Sequence, residues 1–420
     1  MKKTLVSLGV AAGLFAGSAM AVEGPVPQGV NKFHHVFLIM MENHYYPQII
    51  GNPNAPFINS LANQANLATN YFAIAHPSLT NYLEVVGGSN FGVLSDNNSD
   101  WHNTSCTTNL ASATSNTDAY SNGAPICPIS GTGADAATPV VDTVNETSPP
   151  DINAVNEIDG VKSLPALTNV SGKTIADQLV AAGKTWKSYQ ENLPVGGPDG
   201  VNYSDGVYSN LSTFTGWNPA ALSGEGSGAI VKLYAAKHNP FVYFANIQEG
   251  ANPELSFNQI AGFDGVSGLY ADLASGHVPN FSFIVPNQCN DQHGTGNGNA
   301  FCAYDPGTDG TQATLNPALI QLGDNAVNKL VTSIKASEAW KQGNNAIVVV
   351  WDENDYSGVP NTNQVALIVE TSEGKGGLKS NNFYTHFSLL KTLESAFRLP
   401  CLNNACNSDV KVISDLFTSK

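Results

Sequence analysis

The sequence predicts an α/β fold, a three-layer α/β/α sandwich with a mainly parallel central sheet. Two apolar runs predict it first. Val36 to Met41 and Ala346 to Trp351 are continuous stretches of strand-forming residues, the pattern of strands buried on both faces. Both runs deliver oxygen ligands where they stop: Glu42 and Asn43 after the first, Asp352 and Glu353 after the second. Helical patterns alternate with apolar strands along the rest of the chain, which is the order of a parallel sheet covered by helices.

In chain order, Lys2 and Lys3 precede an apolar stretch, Leu5 to Ala16, and a small-x-small site at Ala19-Met20-Ala21. This is the pattern of a secretory signal peptide, residues 1–21, cleaved after Ala21. The mature chain is expected in the periplasm or outside the cell. Residues 22–420 read as a single domain. After the first strand, Pro56 to Ala68 reads as a helix, with Phe57, Leu61 and Ala65 on one face. Tyr82 to Val86 resumes an apolar pattern that Gly87-Gly88 ends. Residues 89–165 are rich in Asn, Ser, Thr, Asp and Pro, and read as a loop-rich insertion or cap. Order returns with a helix from Thr174 to Val180 and a strand from Trp186 to Tyr189. Ala229 to Ala236 looks helical, and Pro240 to Phe244 reads as a strand. A helix over Leu269 to Ala274, a strand over Phe281 to Val285 and a long helical region over Asn316 to Lys341 lead into the strand at Ala346. A strand over Gln364 to Glu370 and a helix over His386 to Phe397 close the chain.

Composition narrows the function. Eighteen Lys and Arg face 34 Asp and Glu, a net charge of -16. Nucleic acid is a poor partner for such a chain, because phosphate backbones need clustered cations. Among the patterned segments none has transmembrane length and no basic amphipathic helix is evident, so stable membrane insertion is not expected and transient lipid contact is left open. Six cysteines in an exported chain imply disulfides, and pairing by sequence proximity gives Cys106–Cys127, Cys289–Cys302 and Cys401–Cys406. The sequence is silent on oligomeric state.

Carboxylates at the carboxyl ends of parallel strands stand where open α/β sheets bind ligands. Glu42, Asn43, Asp352 and Glu353 are hard oxygen donors suited to Mg, Ca, Mn or Zn. Asp291 and His293 follow the Phe281 strand and can face one ion from a loop, and His386, opening the last helix, is a possible third ligand beside them. Ser78, in His76-Pro77-Ser78, stands at the entry of a helical stretch beside the place where Glu42 must end. A metal-bound hydroxyl there is a nucleophile. The competing reading makes Ser78 an ordinary helix cap, with Thr80 as the rival hydroxyl. Gly-x-Ser-x-Gly and His-Glu-x-x-His are both absent, which argues against an α/β-hydrolase esterase and a zincin.

The ordered set Glu42-Asn43, His76 to Tyr82, Trp186 to Asn192, Lys237 to Phe244, Pro286 to His293, Trp351 to Glu353 and Thr385 to Ser388 resembles the phosphoesterase family of bacterial phospholipases C and acid phosphatases, within the alkaline-phosphatase-like superfamily. It is most similar to the acid-phosphatase-like branch. The resemblance implies an alkaline-phosphatase-like sandwich and a metal-dependent hydrolase of phosphate monoesters working through a phosphoserine. It implies Glu42, Asn43, Ser78, Asp352 and Glu353 as ligands of one divalent ion. Asp291, His293 and His386 become a second metal site, or a phosphate and leaving-group site. Ser78 becomes the nucleophile, Asn81 a donor to a phosphate oxygen, and His293 or His386 the acid for the leaving group. The substrate would be a small phosphate ester. A phospholipase C acting on lipid headgroups is the nearest alternative; a catalytically silent, metal-stabilised surface protein is the alternative from another class. His76 and His238 fall in these motifs without an assigned role.

Overall fold

The computed structural model describes residues 23–91, 93, 96, 170, 172–193, 208–210, 230–294, 302–307, 309–355 and 363–418. The expected signal peptide, Cys106, Cys127 and most of 89–165 lie outside these residues.

An eight-stranded sheet organises the molecule. Its strands in chain order are β1 (His35–Met41), β2 (Asn66–Ala68), β3 (Trp186–Gln190), β4 (Ile260–Ala261), β5 (Phe281–Val285), β6 (Asn345–Trp351), β7 (Leu367–Thr371) and β8 (Lys379–Ser380). Across the sheet they run β8, β2, β7, β6, β1, β5, β3, β4. All neighbouring pairs are parallel except β6 with β7 and β7 with β2, so β7 alone runs against the rest. The central strands are apolar throughout because both faces are covered. Every residue of β5 and β6 is buried, as is every residue of β1 after His35. Leu38 sits in register with Val348 on one side and Phe283 on the other. Each such fully buried aliphatic side chain contributes about 1.5–3 kcal/mol relative to exposure. The two edge strands, β4 and β8, are two residues long.

The helices pack in two groups. One contains α1 (Pro56–Gln64), α4 (Leu269–Ser275) and α5 (Pro317–Ala336); the other contains α2 (Ser78–Gly87), α3 (Ile175–Ala181) and α6 (His386–Phe397). Their ends follow local chemistry. Asn316 caps α5 by accepting from Ala318 N, with Pro317 at the first position. The amides of Phe57 and Ile58 at the start of α1 are capped by Asp324, reaching over from α5. Gly88 ends α2 at φ 69°, where an added Cβ would strike the carbonyl of Leu402. One core cluster draws residues from Val30 through Phe417, and Cys289–Cys302 and Cys401–Cys406 are disulfide-bonded.

Four segments differ from expectation. The helix starting at Pro56 ends at Gln64, and Asn66 to Ala68 forms β2 against β7. Within Ala229 to Ala236, Ile230–Lys232 is a strand paired antiparallel with Tyr208–Asn210. Pro240–Tyr243 is a 3₁₀ turn, since Pro240 has no amide to give a ladder and its φ is fixed. The Gln364 strand begins at Leu367 and runs antiparallel.

Candidate active site

The carboxyl ends of the three central strands converge. The backbone ladder continues one step past each strand, with Glu42 N donating to Asp291 O at 2.8 Å and Asp352 N donating to Met41 O at 2.9 Å. This locks the residues after β1, β5 and β6 side by side. Asn43 then turns at φ 56°, a left-handed conformation that asparagine tolerates, and its amide donates to Asp352 Oδ1 at 3.0 Å. Glu191, after β3, accepts from the Asn287 amide and from Asn290 Nδ2, and so steadies the loop that carries Asp291.

Ser78 is the first residue of α2, and Pro77 holds the cap position. Its hydroxyl is therefore not a helix cap. It donates to Glu42 Oε2 at 3.1 Å and faces Glu353 Oε1 at 3.4 Å, fully inside the molecule. Thr80, the rival hydroxyl, is buried and turned to the carbonyl of Val93.

Asn81 is placed otherwise than the phosphate role requires. Its Oδ1 accepts the amides of Ile74 and Ala75, and its Nδ2 donates to Ala75 O and to Glu353 Oε2. Both amide hydrogens are engaged in this arrangement, one with the turn before Ser78 and one with Glu353. His386 is also withdrawn from the site. Its Nε2 meets the backbone carbonyl of Asp352 at 2.6 Å and its Nδ1 meets Tyr71 OH at 2.8 Å, leaving no nitrogen for a metal or a leaving group. Burial holds its pKa down at about 4, so it braces the Asp352 turn as a neutral ring.

His238 takes the place intended for His386. Its Nε2 lies 3.2 Å from Glu42 Oε1 and its Nδ1 3.2 Å from Asp291 Oδ2. The ring stacks on Tyr82, whose hydroxyl donates to Glu42. Glu42, His238 and His293 each offer a ligand atom within 4.8 Å of the others. His76 is the second histidine without a sequence role; its Nδ1 lies 3.0 Å from Glu353 Oε2. The visible signal for His238 was its position just before the apolar Pro240 to Phe244 run, which buries it.

His293 donates from Nδ1 to the Gly294 carbonyl at 2.7 Å, and its Nε2 lies 3.1 Å from Lys237 Nζ. Nε2 thus presents a lone pair, and burial holds the ring's pKa at about 3. A neutral ring in this tautomer can offer Nε2 as a metal ligand.

The electrostatics are those of a cluster short of positive charge. Burial first, then repulsion from neighbouring acids, pushes Glu42 well above the carboxylate range. Burial, and then the charge of Glu353, pushes Asp352 up to about 8. Asp291 and Glu353 are raised well above the usual range, again chiefly by burial. Asp352 Oδ2 is buried with no hydrogen-bond partner, and Asp291 Oδ2 faces only the ring of His238, at 3.2 Å. Orphaned oxygens in a set of four buried carboxylates fit a hard divalent cation, which would replace the protons they otherwise hold. A cavity of about 330 Å³ opens above them, with Ser78, Lys237, His293 and Glu353 in its wall.

Comparisons with known proteins agree in kind. The model of the phosphoesterase family matches residues 52–303, more than half the chain. The match takes in Ser78, His238, Asp291 and His293. A phosphatidylinositol-3-phosphatase of Mycobacterium tuberculosis is 26% identical over 94% of this chain and 90% of its own length. An acid phosphatase of Aspergillus fumigatus is 23% identical over 88% of this chain and 56% of its own. A phosphate-repressible acid phosphatase of Penicillium chrysogenum is 24% identical over 85% and 58%. The chain thus spans little more than half the length of these fungal relatives. A Vibrio parahaemolyticus protein in the alkaline phosphatase superfamily superposes over 90% of this chain and 69% of its own, with a TM-score of 0.41 and 12% identity, too distant to carry an argument.

Proposed function

The chain belongs to the phosphoesterase family and is a hydrolase acting on phosphoric ester bonds, and on that premise we propose that it cleaves phosphate monoesters with Ser78 as nucleophile beside a bound divalent ion. The observation that carries this reading is the Ser78 hydroxyl held between the carboxylates of Glu42 and Glu353. Glu42, Asn43, Ser78, Asp352 and Glu353 would hold one ion. Asp291, His238 and His293 flank it through Glu42 and would hold a second if two are bound. A divalent ion there supplies Lewis acidity that lowers the pKa of the serine hydroxyl and offsets phosphoryl charge.

The chain's own residues do the rest. Ser78 Oγ attacks phosphorus as the bond from phosphorus to the leaving oxygen breaks, and its proton departs along the hydrogen bonds to Glu42 or Glu353. The result is a phosphoserine and an alkoxide, which takes up the proton released by Ser78, through the carboxylate or water, and departs as the alcohol. Water then attacks phosphorus, the serine oxygen leaves, and Ser78 is restored. Asn81 and His76 hold Glu353 in place through both steps.

The relatives' names are those of phosphatases, which favours monoesters over the diesters of a phospholipase C. The Mycobacterium relative's name adds a phosphorylated lipid headgroup to the substrates worth assaying. Export fits two disulfides, which persist in oxidising compartments. Ser78→Ala is expected to abolish phosphate release from an aryl phosphate while leaving circular dichroism unchanged. Retained turnover in that variant would remove Ser78 as the nucleophile. A panel of monoesters, diesters and phosphorylated lipids, assayed with and without chelator, separates the monoesterase from the phospholipase C and from a silent metal-stabilised protein.

A further inference from the structure

We propose that Lys237 binds the substrate's phosphate, taking a phosphate oxygen in the place that the carboxylate of Asp96 now fills. The proposal rests on the phosphoesterase reading and assigns a residue to phosphate recognition. Lys237 Nζ donates to Asp96 Oδ2 at 3.0 Å, with the lysine side chain 12% exposed and the aspartate 29%. The other oxygen of Asp96 accepts the amide of Leu79 at 3.0 Å, the residue that follows Ser78. One carboxylate thus collects an ammonium and a first-turn helix amide immediately beside the nucleophile. Those are the two kinds of donor that a phosphoryl oxygen takes.

The surroundings give this pairing a purpose. Lys237 and Ser78 line the same cavity, and among its described lining residues Lys237 carries the only Lys or Arg charge. The other charged groups there include Asp305, Asp355 and Glu353, which repel a phosphate dianion. Lys237 sets a positive charge against that repulsion. The ion pair keeps Nζ aimed into the cavity while no substrate is bound. When phosphate enters, the hydrogen bond from Nζ to Asp96 breaks and one from Nζ to a phosphate oxygen forms. Asp96, the more exposed partner, turns to solvent. Lys237 also stands 3.1 Å from His293 Nε2, which fixes the direction from which the ammonium approaches.

Two substitutions should move phosphate affinity in opposite directions. Lys237→Ala is expected to weaken competitive inhibition by inorganic phosphate about 10- to 100-fold, the range for losing one charge-assisted hydrogen bond. Lys237→Arg should restore most of it, and Lys237→Gln serves if the alanine variant unfolds. Asp96→Ala removes the competitor and should tighten inhibition by up to about tenfold. Unchanged phosphate affinity in Lys237→Ala and Lys237→Gln, or weaker affinity in Asp96→Ala, would overturn the proposal. Titration calorimetry with inorganic phosphate, repeated in a Ser78→Ala background, needs no turnover. A protein that binds phosphate through Lys237 but hydrolyses no ester would refute the functional reading alone. An active enzyme indifferent to Lys237 would refute only this inference.

Discussion

Asp352 holds its proton to about pH 8, against an ordinary aspartate value of 3.8, because burial and the charge of Glu353 disfavour its ionised form. A group whose pKa is raised on folding contributes stability that is present below its unfolded value and lost as pH rises through its folded value. Chelator-treated protein should therefore lose thermal stability between about pH 4 and pH 8, with Glu42, Glu353 and Asp291 adding in the same direction. Metal-saturated protein should lose much less, because the cation replaces the protons. Melting temperatures across that range, with and without chelator, check the difference; parallel curves would contradict it. At this scale the sequence showed the acids well, since they end apolar runs and carboxylates are costly to bury without partners. The histidines were less legible. The sequence offers His386 as a ligand and gives His238 no role, and only the closing of the strand ends decides which ring faces Glu42.

Among the elements, the central strands were readable to within a residue because burial on both faces writes an uninterrupted apolar run. Two of the four departures fall between Ala229 and Phe244, where apolar residues serve a turn beside the site. Phe241 and Phe244 are as buried as any strand residue, so hydrophobicity could not separate a 3₁₀ turn from a strand. Helix α5 carries an oddity of its own. Gly323 sits mid-helix, where alanine is ordinarily better by about 1 kcal/mol. A Cβ at that position would collide with the side chain of Gln292. Gln292 donates to the carbonyl of Ile320 and accepts from Trp351 Nε1, tying the Asp291–His293 loop to α5 and to the end of β6. Gly323→Ala should thus destabilise the protein, against helix propensity, and lower kcat by shifting the ligand loop. Chemical denaturation and steady-state kinetics test both effects. A stabilised, fully active variant would show that the loop yields freely.

For the molecule as a whole, the distance along the chain between the proposed ligands matters most. Glu42 lies near the start of the fold and Asp352 some three hundred residues later, yet β1 and β6 are neighbours. The site therefore exists only when the sheet has closed, and an ion bound there should stabilise the global fold. By mass action, free metal at a hundred times Kd adds about 2.7 kcal/mol. Calorimetry against a series of divalent ions should show one transition that moves upward together, and an unmoved transition with every ion would argue against the site. Among the described residues no helix is long and apolar enough to cross a membrane.

The two-residue strands at the sheet's margins, β4 and β8, bear on crowded solutions. A long open edge is a template on which another chain can add a strand. Here the eight-stranded sheet tapers to Ile260–Ala261 on one side and Lys379–Ser380 on the other, with the Lys379 side chain exposed. Seven parallel strands can thus remain one molecule's property at high concentration, with neither border inviting fibre growth.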